Sequence, residues 1–163
     1  MLRLIRDLEQ RVDESTRDLI FRCLFSSIFV ALGAEHLFDD RLIQHLMPDW
    51  VGYPRLASGI SGAILLGGGF SILAGYRVHL GARVLGAFLF VVTLAVHVPG
   101  CFSVPAGIPP DAHWIWIVLQ RSNLVKNLCL FGVCVHLTTH APGRFSVDAW
   151  LAKRRAFLSP KGA

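Results

Sequence analysis

The side chains able to do chemistry in this sequence are few, and they sit at the margins of apolar stretches. Glu35 and His36 close the first stretch, His97 closes the third, and Arg121, Asn123, Lys126 and Asn127 surround the start of the fourth. Ionisable groups at membrane depth are costly and face a bundle interior or a wet cavity. Glu35, His36, His97, Arg121, Lys126 and Asn127 are therefore expected to converge in one polar pocket at the outer leaflet. There Lys126 offers a cation and donors to an anionic or quinone headgroup, and Asn127 or a histidine adds a directional bond. Glu35 holds Lys126 or His36 in place. An interfacial salt bridge with separate polar caps is an equal reading, because Glu35 lies about one turn from a helix end and a lysine can snorkel.

Other chemistries have less behind them. His36 and His97, on facing helices at one depth, meet the coarse requirement for haem ligation and nothing more. His136 and His140 are four apart, but no cysteine or third histidine accompanies them, so no metal is expected. The four cysteines, Cys23, Cys101, Cys129 and Cys134, form no C-x-x-C pair, which gives a thiol relay little support. Gly67-Gly68-Gly69 lies mid-stretch with no following Lys-Ser/Thr, so it is not a phosphate loop. No cofactor motif is present; a quinone or haem is the weak alternative to none, and the residues lean away from an enzyme.

Elements that could position these residues follow from composition. Of 163 residues, 53% are apolar and 17% charged, against roughly 25% charged in soluble domains. Apolar runs cover about 19–38, 56–75, 83–98 and 124–140, and Pro99-Gly100 and Pro142-Gly143 stop the last two. Lipid offers the backbone no partners, so these runs are expected to be helices. The expected fold is all-α, an integral membrane four-helix bundle over 18–140, with short amphipathic helices in the segments 1–17 and 141–163. A cleaved signal peptide is disfavoured, since Arg3, Arg6, Arg11 and Arg17 alternate with Asp7, Glu9, Asp13 and Glu14 before the first run. Along the second run Ala63, Gly67, Ser71 and Gly75 recur every four residues, a strip expected to pack on another helix.

Charge sets the expected orientation. Arg3, Arg6, Arg11, Arg17, Arg77 and Arg83, with five basic residues from Arg144 to Lys161, fall on one side, against Arg41, Arg55 and Arg121 on the other. Both termini are expected in the cytoplasm. Trp50, Tyr53, Trp114 and Trp116 on one side, and Tyr76 and Trp150 on the other, lie where aromatic belts form. The net charge of +5 then reflects orientation and attraction to membrane lipids, not nucleic acid.

The stretch Phe29 to Leu37, the pair Gly62 to Gly67 and Gly75 to Ala82, and the start Lys126 to Gly132 together resemble the DoxX family over about residues 18–140. One departure stands: many relatives carry a Glu where this chain has Gly59. The resemblance implies a bacterial plasma-membrane protein, a subunit or anchor of a redox or stress-response assembly with protein partners. A quinone-reactive oxidoreductase, or a small-solute transporter or lipid-binding module, are the alternatives, and a homo-oligomer is compatible with each.

Overall fold

The computed structural model describes residues 13–158, apart from 46, 49 and 106. Of the amphipathic segment expected over 1–17, residues 1–12 lie outside this range, and the rest leads into the first helix. Helix α1 (Glu14–Phe38) starts after Asp13, with Glu14 favourably placed near the positive end of the helix dipole. A short helix α2 (Arg41–His45) follows. Helix α3 (Pro54–Ala74) opens on proline, whose missing N–H costs nothing in a first turn, and is closed by Gly75 at φ 65°. Arg77, also left-handed at φ 50°, completes the reversal into α4 (Val78–Gly100), whose Thr93–His97 turn is π-helical. Helix α5 (His113–Leu137) and helix α6 (Val147–Leu158) end the described chain.

The protein is all-α, and α1, α3 and α4 are long and apolar enough to cross a membrane. This is one fewer than four apolar runs suggest. Helix α5 has 25 residues, ample for a bilayer, but Gln120, Arg121, Ser122, Asn123, Lys126 and Asn127 interrupt its apolar character. It also begins at His113 and not near residue 124. The polar first half stays helical because its inward side chains find partners on α4, as described below.

Packing follows chain order: α1 on α3, α3 on α4, and α4 on α5. Phe25, Phe29, Leu65, Ile72, Leu85, Leu89 and Leu137 form the core, with the rings of Phe25 and Phe29 edge to face at 5.1 Å. Helices α1 and α3 touch closely where a Cβ on Gly33 would lie 3.0 Å from the Leu66 amide nitrogen, and one on Gly62 3.0 Å from the Gly33 carbonyl. Small residues thus do bring the backbones together, but along a different row from the one expected. Ala63 is exposed, and a Cβ on Gly67 would meet nothing within 4 Å. Only the C-terminal half of that strip is packed, with Ser71 against Gly81 and Gly75 against Ser146. The second run carries small residues at 62 and 69 as well as at 63 and 67, and adjacent rows point about 100° apart on a helix.

Candidate functional site

Two polar constellations lie inside the helices, one at each end. At the end where α1 begins, Arg22 is fully buried. Its Nε donates to Asp18 Oδ2 at 2.9 Å, one helical turn away. Its Nη1 donates to the Leu73 carbonyl and its Nη2 to the Phe145 carbonyl, each at 2.6 Å. One guanidinium thereby joins α1, the last turn of α3 and the segment leading into α6. Planarity and five donors suit arginine to this role, and a lysine could not reproduce the fork.

Asp18 is filled from both oxygens. Oδ2 also accepts from the Gly143 N–H at 2.9 Å, and Oδ1 accepts from His140 Nε2 at 2.9 Å. His79 Nε2 in turn donates to the His140 carbonyl at 2.9 Å. Beside this pair opens a cavity of about 540 Å³, lined by Ser15, Arg17, Asp18, Phe21, His136 and His140 among others. The rings of His136 and His140 stand 5.8 Å apart, so the four-residue spacing does place them together. His140, 33% exposed, has Nε2 fixed by the Asp18 carboxylate, and no bond to its Nδ1 is seen among the described residues. Such a pair can relay a proton, and Arg22 behind it holds Asp18 in place.

At the opposite end the contacts run between α4 and α5. His97 Nδ1 donates to Gln120 Oε1 at 2.8 Å, and Asn127 Nδ2 donates to Thr93 Oγ1 at 3.2 Å. Trp116 Nε1 donates to the Gly100 and Ser103 carbonyls, both at 3.0 Å. The π-helical turn spans Thr93 to His97, and both of its polar side chains face this ladder. Lys126 donates to Asn123 Oδ1 on its own helix at 2.8 Å, and Arg121 is exposed.

The single pocket expected from depth is therefore divided. His97 and Asn127 belong to the α4–α5 ladder, whereas His36 belongs to α1–α3: its Nδ1 lies 3.0 Å from Ser58 Oγ, whose hydroxyl donates back to the His36 carbonyl at 3.1 Å. Glu35 is exposed, and among the described residues no ion pair joins it to Lys126. His36 and His97 are each hydrogen-bonded through Nδ1 within a different helix pair. Equal depth decided the expectation, but depth along a helix says nothing about the direction in which a side chain leaves it.

A model of the DoxX family matches residues 18–98. The chain belongs to the DoxX family. No curated protein and no solved structure matches it. The DoxX match opens at Asp18 and covers α1 through the π-helical turn of α4. Arg22 and Asp18 thus lie inside the DoxX segment, while Phe145, His140 and Gly143, which complete their shell, lie beyond it. Asp18, Arg22, Ser58, Thr93 and Gln120 were not singled out from the sequence. The available signal was Asp18 and Arg22, opposite charges one turn apart at the edge of an apolar run.

Proposed function

We propose that this DoxX protein is a non-catalytic membrane subunit, an anchor for a redox or stress-response assembly in a bacterial plasma membrane. The observation that carries this reading is the employment of most of its buried polar side chains, Ser26 Oγ being unbonded among the described residues. Arg22, Asp18, Ser58, Thr93, Gln120 and Asn127 all bond to another helix or to the segment before α6. Groups spent in this way hold helices in register. In the same reading α5 is a fourth crossing: it is tied to α4 at Gly100 near its start, and the turn after its end reaches Asp18 on α1. Its length of 25 residues, about 37 Å of helix, matches the bilayer. Four crossings put both termini on one side, and the basic excess at the termini and in the Tyr76–Arg83 turn favours the cytoplasm.

The test is purification of the full chain from its native membrane in mild detergent, followed by mass spectrometry and an absorbance spectrum. Stoichiometric retention of a protein that carries a redox cofactor or a reactive thiol pair is the expected result. A purified chain that alone turns over a quinone, or conducts a solute in proteoliposomes, overturns the anchor reading.

A further inference from the structure

At the end of α1, a cavity of about 370 Å³ is lined by His36, Asp39, Asp40, Arg41 and Arg55. Its two carboxylates and two guanidiniums do not pair with one another among the described residues, although they share so small a space. Four open charges of balanced sign suit a ligand that carries both a cation and an anion. The cavity shares Gln44, Arg55 and Gly59 with an open groove of about 750 Å³ that runs on along Leu56, Ile60 and Ala63. This groove lies on α3, a helix apolar enough to cross a membrane. A Cβ on Gly59 would meet nothing within 4 Å, and one on Gly67, two turns further, would meet nothing either. Gly59 and Ala63, which do not pack inside the protein, therefore lie along this groove beside exposed Leu56 and Ile60. A polar head cavity opening into an apolar groove on the membrane face has the shape of an amphiphile.

We propose that this is a binding site for an amine-bearing zwitterionic phospholipid, with its ammonium at Asp39 and Asp40, its phosphate at Arg41 and Arg55, and an acyl chain over Gly59 and Ala63. The chemistry selects among headgroups. A primary ammonium has three N–H donors for carboxylates, whereas a quaternary one has none. Guanidiniums bind phosphate through paired, charge-assisted bonds. A purely anionic lipid would satisfy the arginines and repel both aspartates.

The experiment uses the full chain, delipidated in detergent and titrated with phosphatidylethanolamine, phosphatidylcholine or phosphatidylglycerol of the same acyl composition. Thermal midpoint and native mass spectrometry are the readouts. At ten times its Kd, phosphatidylethanolamine is expected to raise the midpoint by about 3–6 °C and to remain bound in the gas phase, with smaller effects from the other two. Arg55→Gln and Asp40→Asn should abolish the shift, and Gly59→Leu should fill the groove. Should Gly59→Leu unfold, Ala63→Leu blocks the same channel from an exposed position. Equal shifts from the ethanolamine and choline lipids, undiminished lipid retention by the groove variants, or preferential retention of a quinone would each overturn the assignment.

Discussion

Replacing Arg22 with methionine keeps most of the side chain's volume and removes its donors. The structure sets the scale of the loss. The guanidinium is fully buried, Asp18 is nearly so, and three of its bonds lie between 2.6 and 2.9 Å. Breaking a buried pair from one side costs about 3–5 kcal/mol, because the partner charge stays behind. Asp18 keeps His140 and the Gly143 N–H, which holds the loss within that range rather than above it. For a domain of this size the cost corresponds to a fall of about 6–20 °C in Tm. The assay is thermal unfolding of the purified chain in mild detergent, with limited trypsin digestion alongside. Loss of the bond to Phe145 should free the segment before α6, so cleavage at Lys153, Arg154 and Arg155 should accelerate below the unfolding midpoint. Adding Asp18→Asn should recover about 1–3 kcal/mol relative to the sum of the single losses. A midpoint within 2 °C of wild type, as expected for an exposed pair worth about 0–1 kcal/mol, would refute the idea that this arginine is a buried clasp.

Further expectations concern the helix contacts. Gly33→Ala should cost about 1–3 kcal/mol, because its Cβ is forced to 3.0 Å from the Leu66 nitrogen, whereas Gly67→Ala should be neutral or stabilising through helix propensity; equal losses in chemical denaturation would contradict the packing. His97→Leu should cost about 1–3 kcal/mol by leaving Gln120 Oε1 without its donor, and adding Gln120→Met should recover most of it. Additive losses in a double-mutant cycle would show that the two side chains do not depend on each other.

The helical class and the membrane setting were legible because both rest on sums over many residues. Composition and run length average out local exceptions, and α1, α3 and α4 appear where the apolar runs lie. Side-chain direction rests on single residues and was far less legible. His36 and His97 share a depth yet turn to Ser58 and Gln120, on different helices. The π-helical turn at Thr93–His97 adds a residue to one turn, so no fixed period carries the face of α4 through to His97. The apolar run marks only the second half of helix α5, because its polar first half lacks the averaged signal, although Trp116 and Gln120 are buried and bonded to α4. Arg22 looked like an ordinary basic residue near a helix end, since its partners at Leu73 and Phe145 are 51 and 123 positions away.

Those sequence separations also order events during synthesis. When α1 enters the bilayer, the one partner of Arg22 among the described residues yet made is Asp18, on the same helix. That local pairing offsets the charge, about 2.5–3.5 kcal/mol for an arginine at the centre of a lone inserting helix. The α3 carbonyl arrives later, and the Phe145 carbonyl only after α5 has been made. Helix α1 therefore waits on the segment before α6 for its full set of bonds. A nascent chain stalled before Phe145 carries a half-satisfied arginine in α1, a mark by which quality control could tell an unfinished bundle from a finished one.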